Sequence, residues 1–188
     1  YNIGAMYRNS LGVKQDYNEA AKWFQKAAAQ NNVFAQVDLA ELYQSGQGVP
    51  KDYKESMRLF RLAADKKNPS AELNIASMYE RGVGVPQDYK ESAKWYRLSA
   101  DHGNSDAQYN LALLYASGRG VPQDMTQAYV WFSLAASRGN LDAANNRDFA
   151  DRRLTAEQRE LAEPHDRDHP QDVLAGLERP ERAGGGDR

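Results

Sequence analysis

The feature that most constrains this chain is a motif that returns every 36 residues. Tyrosines, loop glycines, aspartates and asparagines all keep this step. They are Tyr7, Tyr43, Tyr79 and Tyr115; Gly12, Gly48, Gly84 and Gly120; Asp16, Asp52, Asp88 and Asp124; and Asn32, Asn68, Asn104 and Asn140. Three complete repeats cover 33–68, 69–104 and 105–140, and a partial repeat covers 1–32. A period of this length is typical of repeat proteins, in which each repeat folds as one supersecondary unit.

Each repeat predicts two amphipathic helices joined by a glycine loop. In the first helix, apolar residues recur at steps of four, seven and eight, as in Ala71, Ile75, Met78 and Tyr79. In the second helix, small and aromatic residues form the equivalent stripe. They are Ser92, Trp95, Tyr96, Ser99 and Ala100. A single hairpin cannot bury both stripes, so we expect neighbouring repeats to stack and share one core.

The helix ends are marked in the same register. Asp88 followed by Glu91 predicts a capping box at the start of a second helix. The other repeats carry Asp16 with Glu19, Asp52 with Glu55, and Asp124 with Gln127. Asn68 before Pro69 predicts the start of a first helix. Gly82 and Gly84 are expected to take positive φ in the loop between the helices.

These motifs resemble a known family. The patterns are Ala-x-x-x-Leu-Ala-x-x-Tyr, Gly-x-Gly-Val-Pro-x-Asp and Ala/Ser-x-x-Trp-Phe/Tyr-x-x-Ala-Ala, and together they are similar to the Sel-1-like repeats, relatives of the tetratricopeptide solenoids. The resemblance covers residues 1 to about 150. It implies an all-α fold, a right-handed α/α superhelix of stacked hairpins whose first helices line the concave surface. The first repeat departs from the pattern at Ser10 and Lys14, where later repeats carry Gly and Pro.

The repeat register decays after Asn140. Arg147 stands where earlier repeats carry Leu or Ile, so an apolar stripe has become polar. Because a solenoid needs a polar terminal unit, we interpret 141–163 as a C-terminal cap whose last helix starts at Thr155, and 1–163 as the solenoid. Residues 164–188 hold three Pro, four Gly and no aromatic residue, which predicts a disordered tail. The first repeat starts partway through its first helix, from which we expect a longer parent protein or a trimmed end.

Composition excludes several function classes. With 24 basic and 26 acidic residues the chain has a formal charge of −2, so it lacks the net positive charge of a nucleic-acid binder. The absence of cysteine excludes disulfides, thiolate zinc sites and a cysteine nucleophile. No apolar run approaches the roughly 18 residues that span a bilayer, so we expect no membrane insertion. The sequence does not indicate whether the protein resides in the cytoplasm or, after removal of a leader, in the periplasm or outside the cell. It does not indicate the oligomeric state either.

The sequence offers no convincing catalytic or metal site. It contains no phosphate-binding glycine loop and no serine-hydrolase or zinc-protease motif, so we predict a protein that is not an enzyme and that holds no cofactor or metal. His165 and His169 have a spacing that chelates zinc on a helix, but they lie in the predicted tail. His102 falls where a second helix ends, and we expect its imidazole to interact with the last carbonyls of that helix rather than to act in catalysis.

Trp23, Trp95 and Trp131 recur at one position of the second helix. Such a row of aromatic rings is also found where proteins stack sugars or bases. Leu59 stands in the same slot in the remaining repeat, and leucine cannot stack. We therefore interpret the slot as part of the core.

If the positions shared by all repeats build the scaffold, the positions that vary on the first helices determine which partner is bound. The predicted partner-binding residues lie on one face at spacings of three and four. They are Phe34, Val37, Glu41, Gln44, Leu73, Ser77, Glu80, Tyr109 and Leu113. Glu80 and Leu113 are expected to face solvent. The row Tyr1, Val37, Leu73 and Tyr109 has an equally good alternative, in which it packs one first helix on the next.

These observations predict a scaffold or adaptor that binds a protein or peptide on its concave face. Two alternatives stay open. One is a hydrolase of β-lactam or cell-wall substrates, because some Sel-1-like proteins resemble penicillin-binding hydrolases; those relatives are cysteine-rich, unlike this chain. The other is a passive structural spacer within a longer protein.

Overall fold

A computed structural model of the chain describes residues 1–162, and within that range it contains ten α-helices and no strand. The helices are α1 (Asn2–Asn9), α2 (Tyr17–Ala29), α3 (Val33–Ser45), α4 (Tyr53–Ala64), α5 (Pro69–Arg81), α6 (Tyr89–Asp101), α7 (Ser105–Ser117), α8 (Met125–Ser137), α9 (Leu141–Asp151) and α10 (Ala156–Ala162). The predicted tail, with His165 and His169, lies outside the described residues. The domain bounds 1–163 and 164–188 therefore stay predictions.

First and second helices alternate along the chain and pack against each other. In the unit formed by Tyr1–Asn104, α3 packs between α2 and α4, and α5 packs between α4 and α6. In the unit that begins at Ser105, α8 packs against α7, α9 and α10. The predicted all-α fold, built of 36-residue helical hairpins that share neighbours, is confirmed.

The predicted stripes form the core of each unit. Ile75 and Met78 of α5 are at most 1% exposed, and Phe60 and Tyr96 of the second helices are equally buried. In α3 every residue from 35 to 40 is buried, a wider band than one amphipathic stripe. The reason is that α3 has a second helix on either side, so two faces of it are covered.

The four aspartates cap the second helices as predicted. Asp88 Oδ1 accepts hydrogen bonds from the backbone N–H groups of Lys90 and Glu91, at 2.9 and 3.0 Å. Asp16 and Asp52 make the same pair of bonds, and Asp124 accepts from Gln127 N. The side chains of the four aspartates therefore satisfy N–H groups that the first turn of a helix leaves without a partner.

The second half of the predicted capping box is not formed at these aspartates. The backbone N–H of each aspartate donates instead to the carbonyl of the repeated tyrosine nine residues earlier, at 2.9–3.0 Å. The pairs are Asp16 with Tyr7, Asp52 with Tyr43, Asp88 with Tyr79, and Asp124 with Tyr115. The glutamates form ion pairs along their own helix, as Glu91 does with Lys94. A reciprocal box occurs only in the cap region among the described residues, between Thr155 and Gln158.

The loop between the helices turns at two residues with positive φ. Gly46 and Gly48 have φ of 77° and 71°, and Gly82 and Gly84 have the predicted positive φ, at 65° and 73°. In the first repeat Ser10 takes φ of 57° where the later repeats have glycine. Ser10 therefore keeps the positive φ of the later glycines. Because Ser10 has a Cβ, this backbone conformation is strained at that residue.

The second loop glycine also sets how closely neighbouring repeats approach in the first unit. A Cβ on Gly48 would overlap the backbone carbonyl of Tyr17 at the start of α2, and a Cβ on Gly84 would overlap the side chain of Tyr53 at the start of α4. By contrast, the nearest described atom to a Cβ on Gly12 is a methyl of Met6, at 4.0 Å.

We predict that Gly48→Ala destabilises the fold more than Gly12→Ala does. Both changes place alanine at positive φ, which costs about 1 kcal/mol. Only at Gly48 does the new methyl meet backbone, so we expect a total loss of about 2–4 kcal/mol there, measured by urea denaturation. Equal losses at the two positions would show that the glycine does not limit the approach of the repeats.

A second prediction separates the two halves of the capping box. Asp88→Ala should cost about 1 kcal/mol of unfolding free energy, because two N–H groups lose their acceptor, while Asp88→Asn should cost much less. Glu91→Ala should cost less than about 0.5 kcal/mol, because Glu91 makes only an exposed ion pair. A loss at Glu91 as large as that at Asp88 would contradict the observed hydrogen bonds.

Candidate functional site on the first helices

An aromatic pair lies on the first-helix surface of the first unit. Phe34, at the start of α3, is 62% exposed. Its ring centroid is 5.9 Å from that of Tyr1, which is also 5.9 Å from the buried ring of Phe24 in α2. The aromatic pair is therefore anchored to the core through Tyr1 but leaves the Phe34 ring in solvent.

A charged cluster lies beside the aromatic pair. Arg8 of α1 places Nη1 2.9 Å from Asp38 Oδ1 and 3.3 Å from Glu41 Oε2. Asp38 is only 8% exposed, and its Oδ2 has no hydrogen-bond partner among the described residues. Burial raises the pKa of Asp38 although Arg8 lowers it, and burial together with the charge of Asp38 raises the pKa of Glu41.

Two predicted site residues of the first unit are not free surface residues: Val37 follows the packing alternative, and Glu80 departs from the expectation that it faces solvent. Val37 is 7% exposed and belongs to the core cluster, because α3 is covered on two faces. Glu80 is half-buried and does not simply face solvent: its Oε2 accepts a hydrogen bond of 2.6 Å from the hydroxyl of Tyr96, a residue that is 1% exposed. Glu80 therefore supports the buried Tyr96 ring, and burial with this hydrogen bond raises the pKa of Tyr96.

The remaining predicted residues of the first unit stay partly accessible. Glu41, Gln44, Leu73 and Ser77 are all half-buried on α3 and α5. Together with Phe34 they leave a surface of mixed chemistry, with an aromatic ring, a carboxylate, an amide and a hydroxyl. Whether this surface binds a partner stays a prediction.

In the second unit the predicted residues are Tyr109 and Leu113 of α7. Tyr109 is half-buried, its ring centroid 5.8 Å from that of Phe132 in α8. Its hydroxyl accepts a hydrogen bond of 3.1 Å from Asn146 Nδ2 of α9. These contacts favour the packing interpretation for Tyr109, whereas Leu113 is 37% exposed and available for contact.

Sequence reasoning named Tyr1 only in the row that contains Val37, and it missed Arg8 and Asp38 as site residues. A signal for Arg8 was present, because Arg8 lies 36 residues before Gln44. The rows of variable positions thus extend into the partial first repeat. For Asp38 no pattern in the sequence indicates a buried carboxylate.

His102 lies at the end of α6 as predicted, but it has a partner that the sequence did not indicate. Its Nδ1 is 2.8 Å from Oε2 of Glu72, which is 2% exposed. The pair joins α5 to the end of α6 and is a structural contact. In residues 1–162 no group of three or more acidic or histidine side chains is placed to hold a metal, and no helix there is long and apolar enough to cross a membrane.

The fold and its repeated loop define a helical-hairpin repeat protein. The Sel1 repeat family model matches residues 1–32, 33–68, 69–104 and 105–140, and the chain belongs to this family. Its members generally act as scaffolds for protein–protein interaction and are typically not enzymes. No curated protein matches the chain.

Two solved structures show the similarity. A Sel1 repeat protein from Oxalobacter formigenes is 40% identical, with a TM-score of 0.75, and the match covers 79% of this chain and 61% of that protein. The cysteine-rich protein B of Helicobacter pylori is 22% identical, with a TM-score of 0.57, and the match covers 71% of this chain and 96% of that protein. The latter likeness is one of fold alone.

We predict that Asp38→Asn gains stability relative to the parent chain as pH rises. Because folding raises the pKa of Asp38, the folded chain binds this proton more tightly, and that contribution to stability is lost as pH rises through the folded pKa. Asparagine does not titrate, so the variant does not lose stability in this way as pH rises. The difference in urea midpoint between the variant and the parent should therefore grow from about pH 4 to about pH 7. A difference that shrinks over this range would mean that Arg8 outweighs burial.

Proposed function

We propose that the chain is a non-catalytic scaffold that binds a protein or peptide partner on the surface of its first helices, the surface that corresponds to the expected concave face. The observation that carries this proposal is Phe34. It is a large aromatic side chain held 62% exposed, at a position where the next two repeats have Ser70 and Asp106. Since the scaffold folds without an aromatic ring at this position, the ring is available for contact with a partner.

The surroundings of Phe34 fit an interface hot spot. Aromatic and arginine side chains dominate the binding energy of protein interfaces when they lie at the centre of a contact. Phe34 contacts Tyr1, and on α3 it lies one turn before Asp38 and two turns before Glu41, the two carboxylates that pair with Arg8. In such an interface the apolar contact contributes affinity, and the charged groups around it fix the orientation of the partner.

The charges indicate the chemistry of the partner. The cluster has two carboxylates and one guanidinium, and the side chain of Glu41 is 45% exposed. A partner segment with an apolar side chain for Phe34 and a cationic side chain for Glu41 would complement it. Among the predicted residues of the second unit, Leu113 offers a further apolar contact.

We predict that partner contact maps to the first helices. A photo-crosslinking amino acid is placed at Phe34 or Leu113, and as controls at Leu98 and Lys90 of α6, which are also exposed. In source cells, the first pair should give the same crosslinked protein and the control pair should not. Crosslinks from Leu98 and Lys90 alone would place the interface on the second helices and refute the proposal.

The matched binding variants come from the repeats themselves. Phe34→Ser introduces the residue that the next repeat carries at this position, Ser70, so its effect on stability should be within about 0.5 kcal/mol. Its affinity for the crosslinked partner should fall at least roughly tenfold if Phe34 is a central contact. An unchanged affinity, measured by titration calorimetry with the purified partner, would contradict the role of Phe34.

A further inference from the structure

The variable positions of the first helices continue beyond the last complete repeat. Asn140 caps α9 by accepting a hydrogen bond from Ala143 N at 2.9 Å, as Asn32 and Asn68 do for the residues that start α3 and α5. α9 therefore takes the place of a first helix, in the same register. Two rows of variable positions run into it at the 36-residue step. They are Glu41, Ser77, Leu113 and Phe149, and Gln44, Glu80, Ala116 and Arg152.

Phe149 lies beside Leu113 of α7. The hydroxyl of Tyr109 accepts a hydrogen bond from Asn146 Nδ2 at 3.1 Å, so α7 and α9 touch at this level. Leu113 lies one turn after Tyr109, and Phe149 lies one turn after Asn146, so both side chains lie on the faces that meet there. Leu113 is 37% exposed and Phe149 is 46% exposed. Two large apolar side chains therefore lie next to each other in solvent.

An arginine is stacked on the Phe149 ring. The guanidinium carbon of Arg153 lies 3.5 Å from the centre of this ring. Its Nη1 donates to the carbonyl of Phe149 at 3.2 Å, which ties the side chain to the end of α9. A guanidinium carries five N–H donors, so most of them stay available. Because the stacking and the hydrogen bond hold Arg153 in place, it presents a fork of donors whose orientation is already fixed.

The charges around the two apolar side chains are not balanced. Two ion pairs use the acidic residues in the last turn of α9. They are Arg147 with Asp148, at 2.9 Å, and Arg159 with Asp151, at 2.5 Å. Arg152 and Arg153 are exposed and have no ion pair among the described residues. The surface therefore offers two cations next to two apolar side chains.

We propose that the surface formed by Leu113, Phe149, Arg152 and Arg153, here called the α7–α9 surface, binds a partner polypeptide segment that carries large apolar side chains next to carboxylates. The apolar side chains would cover Leu113 and Phe149, and a carboxylate would accept from Arg153 in a bidentate pair. Two cations are few for a nucleic-acid backbone, which favours a peptide. The inference rests on the proposed function for the claim that the first helices form an interface.

The test uses the full chain and short capped peptides. The probe peptide has two adjacent leucines with an aspartate on each side. One control peptide has lysines in place of the aspartates, and the other has alanines in place of the leucines. Each peptide is titrated at low salt into isotope-labelled protein, and NMR shifts are followed. We expect saturable shifts at the amides of Leu113 and Phe149 and at Nε–H of Arg153 with the probe alone. No saturable shift with the probe, or equal shifts with the lysine peptide, would overturn the proposal.

Matched variants separate the apolar contact from the charge. Phe149→Ser introduces the residue that an earlier repeat carries in this row, Ser77, and it should weaken probe binding at least roughly tenfold. Arg153→Gln should weaken it roughly two- to fivefold and reduce its dependence on salt. Lys90→Gln removes an exposed cation from α6 and should leave probe binding unchanged. Unchanged probe binding in Arg153→Gln would refute the proposal even if Phe149→Ser fails to fold.

Other occupants of the α7–α9 surface give different results. Binding to anionic phospholipid vesicles is measured by co-sedimentation, and the mass of the chain is measured by analytical ultracentrifugation. Vesicle binding that Arg153→Gln weakens, without binding of the probe, would assign the surface to a membrane. Dimer formation that Phe149→Ser abolishes would assign it to a second copy of the chain. Either result would overturn the proposal.

The failure of this inference can be distinguished from the failure of the proposed function. Capture of a partner by the crosslinker at Phe34, without binding of the probe peptide, would refute this inference alone. Binding of the probe peptide, with crosslinks only from the second-helix positions Leu98 and Lys90, would refute the proposed function and leave the α7–α9 surface as a peptide site.

Discussion

Each hairpin depends on one aspartate that is used twice. Its side chain accepts from the first turn of the second helix, as Asp88 does for Lys90 and Glu91, and its own N–H donates to the carbonyl of the tyrosine near the end of the first helix, as Asp88 does to Tyr79. One residue thus starts one helix and ties it to the end of the other. The loop between them is long enough to need two residues with positive φ, Gly82 and Gly84 in this repeat. The joint presence of tyrosine, glycines and aspartate at the 36-residue step follows from this geometry.

With the scaffold fixed in this way, function is left to the positions that the hydrogen bonds and the core do not use. On the first helices the variable positions leave Phe34 exposed beside the Arg8, Asp38 and Glu41 cluster. In the second unit they leave an apolar pair on α7 and α9 exposed, beside two guanidiniums that have no ion pair among the described residues. The two surfaces differ in charge, since carboxylates predominate beside Phe34. Both arise at positions where other repeats carry different residues.

The helices, their caps and the glycine turns could be predicted because they depend on residues close together in the sequence and repeated several times. For Val37 the sequence left partner binding and helix packing equally open, and the structure shows packing, because α2 and α4 cover two faces of α3 and bury residues 35 to 40. The contacts of Arg8 with Asp38, of Tyr96 with Glu80 and of His102 with Glu72 could not be predicted. Each contact joins two residues 16 to 30 positions apart, and the same pair of residue types does not recur at the 36-residue step, so periodicity gives no signal for it.

The double use of the aspartate is tested most directly by native-state hydrogen exchange. Asp52 and Asp88 are exposed residues at the end of a loop, yet their amides donate to Tyr43 and Tyr79. The account predicts that these two amides are protected nearly as well as those inside the helices, while the preceding amides of Lys51 and Gln87, without a backbone acceptor among the described residues, exchange rapidly. Exchange of the Asp52 and Asp88 amides as fast as that of Lys51 and Gln87 would contradict it.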